Sequence, residues 1–548
     1  MAASNSRLRI TVLSPLAPRK AFATTGAPPL RAFVPDGVGI DGLLSQIPVG
    51  VKIEVSDPFG ASGAKLRVDL SFTGPKSFRP AGIVAQVPAL RALAEVPARL
   101  RTLASRKASR SEIVRDLAQL LPSAAWAEAL APTPTPADAA APAPSTTGSS
   151  SIDDILSHTQ QAEPAKSSAF SSLISQVARG SNASGKASHG GAADRATRAF
   201  GLILSDILDH PEVRRLERTW RSVRYLLDAA TSTGSIDVEL IPIDDQNLPE
   251  ALTYLVERPV EILSPPDLLV LDTEVSLTEA GLGALELPAL VASQLRAPLV
   301  VGARIDDHFD NEETPALLAA AGAAEWAPWV VLAVNGGLMR GPYTEEKLGV
   351  PFSQEPTSPG ARVFASAPWL VAALVARAFR HDGWPGRITG PEAGMLSGFD
   401  VHGVVAGGAT AMFATEKLVT VEGAQRQARR GICALTSVPN RDTIACIAAP
   451  TLAAAAGERA PTLADQLFVA RIAGIVDSLG EAIPAGTDPA SVEQVVQIAL
   501  AEIFPQHGSS VPLVETKVAN DKLEVTITPR RFAGTTMGEI SFEAPFGG

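Results

Sequence analysis

Residues Ile207–Leu227 read ILDHPEVRRLERTWRSVRYLL, and the spacing of their apolar residues settles what kind of element opens the larger part of the chain. Phe200, Ile203, Leu204, Ile207 and Leu208 fall on one helical face. After Pro211 the pattern restarts with Val213, Leu216, Trp220, Val223 and Leu227, so two consecutive amphipathic helices are expected. Trp220 keeps register with Leu216 and Val223, which marks it as core rather than as a platform for a ligand.

Downstream the period changes. Leu268–Leu271, Pro298–Gly302 and Trp329–Val334 are short, nearly continuous apolar runs, as expected of strands buried on both faces of a parallel or mixed sheet. A helix is expected from about Pro368 to His381, followed by strand-like segments at Phe413–Val421, Ile432–Val438 and Thr443–Ala449 that suggest a meander. Near the end Leu523, Val525 and Ile527 alternate with polar residues, as do Ile540 and Phe542, so the C-terminus reads as extended and strand-forming.

Upstream lies a different module. Arg7–Leu13 reads as a strand, Val51, Ile53 and Val55 alternate with Lys52 and Glu54, and Lys65–Phe72 places Leu66, Val68, Leu70 and Phe72 on one face. Beyond Phe78 and Pro80 the spacing of Val87, Leu90 and Leu93 is helical, with Pro88 and Pro97 each expected in a first helical turn. The domains expected are a first module at 1–130, a Pro/Ala/Ser-rich linker at 131–151, a helical island at 152–179, a second linker at 180–195 and a main domain at 196–548. The linker APTPTPADAAAPAPSTTGSSS holds one charge and no large apolar residue, too little to offset its ordering entropy. The fold class is mixed α/β, with more than one domain.

Composition narrows the functions. The 548 residues are 46% hydrophobic and 19% charged, with a formal charge of −11, and no basic block interleaved with aromatics offers a phosphate-tracking groove. Nucleic acid is therefore not an expected partner. The apolar stretch after Arg7 and Arg9 is too short for a signal-peptide core, and Trp369–Ala376 is far short of the roughly 20 residues a membrane helix needs. Synthesis in the cytoplasm without export, and no direct membrane insertion, are expected. Cys433 and Cys446 make neither a disulfide framework nor a four-ligand zinc site and read as buried reduced thiols.

Catalytic signatures are sparse. Gly180–Ala187 nearly spells a phosphate-binding loop, but Ala187 stands where a hydroxyl should hold magnesium, and a helical pattern precedes it instead of a strand. Gly281-Leu-Gly283 lacks the third glycine of a dinucleotide fingerprint. The seven histidines are dispersed without metal-ligand spacing, so neither a metal nor a cofactor is expected. Asp272, at the end of a buried strand, is the best acid–base candidate; a capping or turn carboxylate is the alternative. An α/β enzyme using Asp272 is the rival reading from another class, and no catalytic residue is assigned.

The helix-His-Pro pattern followed by Leu216-Glu-x-x-Trp220-Arg221 resembles the large subunit of type VI secretion contractile sheaths. The likeness runs on through Leu268–Glu274, Ala297–Leu299, Trp329–Tyr343 and Ala367–Trp384 to the C-terminal strands. Independently, Leu66–Leu103 resembles the small sheath subunit, in Leu70-x-Phe72, Ser77-Phe78-x-Pro80 and Gln86-Val87-Pro88-x-Leu90-x-x-Leu93. There are departures from the family pattern: Ser77 replaces a usual Asp, and Ser222 replaces a usual Gly.

The resemblance implies a tail-sheath fold with strand-exchanging termini, and a non-catalytic subunit that polymerises with itself into a helical tube around an inner tube. It implies contraction that propels that tube, a baseplate at the inner membrane, and a cytoplasmic AAA+ unfoldase that dismantles contracted sheath. A phage-like or extracellular contractile particle is the nearer alternative. Leu8, Ile10, Val12, Leu523, Val525, Ile527, Ile540 and Phe542 are the candidates for strands shared between copies, through the open backbone groups of an edge strand. Ile152, Ile155 and Leu156, in SIDDILSHTQQ, are the candidate unfoldase-binding stripe.

Overall fold

The computed structural model describes residues 7–18, 32–35, 39–47, 49–132, 187–230, 235–244, 246–257, 265–306, 309, 311–406, 409–457, 460–484, 487–504, 511–519 and 522–545. Among them the central feature is a mixed sheet. Its strands run in the order Met395–Ser397, Thr443–Cys446, Ile432–Ser437, Val330–Val334, Leu299–Ala303, Leu268–Val275, Leu8–Ser14 and Ile236–Pro242. The pairing is parallel from Ile432–Ser437 to Ile236–Pro242. The two strands at the other edge are antiparallel.

Continuous apolar runs form this sheet because both faces are covered. Leu268, Val270, Val300, Val331 and Ala333 pack into one core with the helices Pro211–Ala230 and Ala367–Asp382. Leu269, Leu271, Leu299, Val301, Val330 and Leu332 pack into a second core with the helices Leu248–Glu257 and Glu286–Gln294. Trp369–Ala376 is buried throughout, in the helix Ala367–Asp382 that crosses the first face. This helix ends at Gly383, whose φ of 68° is the left-handed conformation that glycine adopts without steric cost.

The first module is a hairpin, Gly50–Ser56 with Lys65–Ser71, in which Ile53 sits opposite Val68 and Val51 opposite Leu70. The helices Pro80–Gln86, Pro88–Ser105, Arg110–Leu120 and Ala124–Leu130 follow it, the first packing on the strand Lys65–Ser71. Pro97 does not open a helix as expected; it stands inside Pro88–Ser105. Proline removes one intrahelical hydrogen bond, and burial of Leu93, Val96 and Leu100 along the same helix offsets that loss. The segment Phe413–Val421 is likewise no strand. Phe413 ends the hairpin His402–Ala406/Ala409–Phe413, and Val421 starts the helix Val421–Arg429, whose Thr420 cap accepts from the Gly423 amide.

A third layer closes the C-terminal end. The helices Leu463–Ala482 and Pro489–Ile503 pack with a sheet ordered Leu513–Ala519, Lys522–Thr528, Ile540–Pro545, antiparallel throughout. Trp384, Phe468, Phe504 and Phe532 form its aromatic centre, with Trp384 and Phe532 meeting edge to face at 5.2 Å.

Candidate functional site at the seam between the modules

The decisive geometry is where the two modules meet. Leu8–Ser14, from the first module, lies inside the main domain's sheet and pairs in parallel on both sides, Val12 opposite Leu240 on one and opposite Val270 on the other. Leu8, Ile10 and Val12 are fully buried. In the single chain this strand therefore has no open edge for a second copy, since both rows of backbone groups are used. Phe33 adds an antiparallel bridge to the outer side of Leu240, its amide donating to the Leu240 carbonyl at 2.8 Å.

Polar side chains lock the inserted strand. The Thr11 hydroxyl donates to Glu239 at 2.7 Å, and the Ser14 hydroxyl donates to Asp272 Oδ2 at 2.8 Å. The other oxygen of Asp272 accepts from Ser366 Oγ at 2.6 Å. Asp272 is buried and ties the first strand to the start of the Ala367–Asp382 helix, which gives the carboxylate a structural use. At the strand's other end the Arg9 amide donates to Asp267, and Arg471 reaches both Asp267 and the Arg7 carbonyl. Burial pushes the Asp267 carboxyl up from its ordinary pKa, against the opposing pull of Arg471.

The helix Pro211–Ala230 holds the segment that follows this strand. Trp220 Nε1 donates to the Leu16 carbonyl at 3.0 Å, and Arg215 donates to the carbonyls of Pro15 and Ala17 at 2.7 and 2.9 Å. Glu217, one turn away, is almost fully buried and bidentate to Arg340, at 2.9 Å on each arm, and it also accepts from Arg221 Nε at 2.8 Å. Burial works against the Arg340 charge, but Glu217, helped by Tyr343 and Asp400, more than offsets it, so the guanidinium is held above its usual pKa. Removing one member of such a buried pair costs about 3–5 kcal/mol, because the other charge is left uncompensated. Each polar or aromatic position of Leu216-Glu-x-x-Trp220-Arg221 thus holds the segment after the first strand or the Arg340 network.

A second contact joins the helices. Ala187–Asp209 begins inside the stretch expected to be linker and packs along Pro88–Ser105. Ala192, Ala196 and Ala199 are buried; small side chains at helical spacing let two helices approach closely. Arg195 donates to the carbonyls of Ala129 and Ala131 at 3.2 and 3.0 Å, which pins the end of the first module to the start of the main domain.

The seam also encloses an open groove of about 950 Å³. Its first-module wall is the turn Pro75–Phe78 with Arg79, and its opposite wall is the exposed side of Pro211–Ala230 with Met339. The two motifs read separately from the sequence, Ser77-Phe78-x-Pro80 and Leu216-Glu-x-x-Trp220-Arg221, therefore meet at one place.

Among the other candidates, Leu523, Val525 and Ile527 point into the C-terminal core from the middle strand of the three-stranded sheet, paired on both sides. Ile540 and Phe542 lie on Ile540–Pro545, which among the described residues is paired on one side only. Ile152, Ile155 and Leu156 lie outside the described residues, as does most of the phosphate-loop lookalike. Cys433 and Cys446 are free and buried on neighbouring strands, 3.8 Å between sulfurs. Hydrogen bonding to Cys446, together with burial, pushes the Cys433 thiol well up. Among the described residues no group of three or more acidic, histidine or cysteine side chains could hold a metal ion, and no helix is long and apolar enough to cross a membrane.

Comparison with known proteins finds two matching families. Residues 27–134 match the family described as "Type VI secretion system, VipA, VC_A0107 or Hcp2", and residues 319–453 match "EvpB/VC_A0108, tail sheath N-terminal domain". No curated protein matches the chain. Among solved structures it is similar to the anti-feeding prophage (AFP) baseplate at 13% identity with a TM-score of 0.33. It is also similar to the AFP helical sheath in its contracted state at 12% identity with a TM-score of 0.30. Each likeness covers 59% of this chain and 77% of the other. Two segments of one polypeptide thus match a type VI secretion family and a tail sheath family.

Proposed function

We propose that the chain is a sheath protomer that polymerises into a helical tube around an inner tube and contracts to drive that tube out of the cell. The observation that carries this reading is the inserted strand: Leu8–Ser14 completes the main sheet, so the two modules are one rigid building block. A wall unit that must transmit force benefits from a backbone-bonded seam, whose ladder resists sliding along every residue. The role is mechanical and non-catalytic. It is exercised in the bacterial cytoplasm on a baseplate at the inner membrane, and an AAA+ unfoldase that grips Ile152, Ile155 and Leu156 dismantles spent sheath.

Copies connect through strand addition at Ile540–Pro545, whose outer edge is open among the described residues. Electron microscopy of the purified protein, with and without inner-tube protein, tests this. The full chain is expected to form tubes, and a chain lacking residues 537–548 to stay folded but unpolymerised. Normal tubes from the truncated chain would remove this terminus from the contact, and a full chain that never polymerises would remove the sheath reading itself.

A further inference from the structure

The groove at the seam has a cationic rim and an apolar floor. Lys76 and Arg79 are exposed on the first-module side and Arg224 on the other, with Phe78, Tyr225 and Met339 beneath. The carboxylates on the same walls are Asp41 and Asp228; the latter already faces Arg224 at 3.6 Å.

We propose that this groove binds a segment of the chain's own connector, Ser151–Gln161, and that the connector thereby bridges both modules. Three observations select that occupant. The first is charge: the connector between Pro132 and Ala187 has four acidic residues, Asp138, Asp153, Asp154 and Glu163. Only Asp153 and Asp154 adjoin each other, flanked by Ile152, Ile155 and Leu156, an acidic and apolar stretch that complements a cationic and apolar groove. The later apolar stretch Phe170–Val177 carries no acid and is followed by Arg179, the wrong sign for this rim.

The second is placement. Arg195 bonds to the Ala129 and Ala131 carbonyls, so the connector leaves and returns at one corner of the molecule. From Pro132 to Ser151 an extended chain reaches on the order of 60 Å, against a radius of gyration of about 24 Å for a compact chain of this length. The third is tethering: an effective concentration in the millimolar range lets a short segment of modest affinity stay bound.

Carbodiimide coupling of the purified full-length chain tests this, because it joins a carboxylate to an amine only where the two touch, and Lys76 is the rim's amine. The expected product is an intramolecular link between Lys76 and Asp153 or Asp154, found by mass spectrometry in the monomer band. Its yield should fall roughly tenfold in the Arg79→Glu/Arg224→Glu chain, the loss of two exposed ion pairs; both arginines are exposed, so a thermal melt should be unchanged.

As a second measurement, a fluorescent peptide of residues 149–163 should bind a chain whose own Ile152, Ile155 and Leu156 are changed to serine. Asp153→Lys/Asp154→Lys in the peptide should abolish that binding and restore it toward the Arg79→Glu/Arg224→Glu groove. Absence of both link and binding overturns the proposal. So does a link confined to the dimer band, which would make a second copy the occupant. Neither polymerisation nor an unfoldase enters the readout, so this inference and the sheath reading fail separately.

Discussion

At the scale of single residues, Glu416 concentrates an electrostatic cost. Arg218 Nη1 donates to Glu274 at 2.9 Å, and Glu416 stands beside the same pair with Lys417 as its own neighbour. Burial, followed by repulsion from Glu274, pushes the Glu416 carboxyl from 4.5 up to about 7, against the pull of Arg218 and Lys417. A carboxyl whose folded pKa lies above its unfolded value contributes its full stability below the unfolded pKa, near 4.5. That contribution is lost as pH rises toward 7 and is absent above it. Glu416→Gln keeps the shape without the charge. It should leave stability unchanged at pH 4 and raise it at pH 8 by on the order of 1–2 kcal/mol, discounted for screening by solvent. Denaturant midpoints at the two pH values check this; an equal effect at both would mean that the charge is not what strains the site.

Among the elements, Leu8–Ser14 has the widest consequences, because it is paired on both sides and supplied by the other module. Val12→Pro removes an amide from a strand with neighbours on both sides and should cost about 3 kcal/mol or more, whereas the same change at Ser541, on an edge strand, should cost much less. The expected readout is one cooperative unfolding transition shifted for both modules together. A shift confined to the first module's signals would mean that the strand does not complete the sheet. The alternation of this strand was plain in the sequence; its partners were not. Parallel pairing joins residues such as Thr11 and Glu239, 228 positions apart, and leaves no local turn signal between them. The same gap hid Ile236–Pro242 altogether. The early turns of Ala187–Asp209 read as low complexity because the alanines that fit against Pro88–Ser105 look, without their partner, like linker. Glu217, Trp220 and Arg221 stood out as a motif, yet a backbone carbonyl such as that of Leu16 carries no signature, so what Trp220 holds became visible only with the fold. Asp272 was expected at a strand end, but the strand runs on to Val275 past an irregularity between Leu271 and Glu274, and only its two hydroxyl partners show it to be a tie.

For the whole molecule, the question is what holds the modules together once the connector is discounted. The seam contains a strand within a sheet, a helix along a helix, and a set of arginines on main-chain carbonyls. Burying Leu8, Ile10, Val12 and Leu13 alone contributes gross stabilisation of about 1.5–3 kcal/mol each. Covalent continuity adds effective concentration, but an interface built like the interior of a domain does not depend on it. Cutting the chain at a protease site placed within residues 133–150 should therefore leave two fragments that co-elute in a one-to-one ratio at micromolar concentration, where association must supply about 8 kcal/mol. They should part only in denaturant, and the cut material should still polymerise. Because such a cut leaves Ser151–Gln161 on the larger fragment, the groove keeps access to its proposed occupant, and the experiment isolates the seam. Fragments that separate on dilution without denaturant would show that the tether, and not the shared sheet, makes the two modules one protomer.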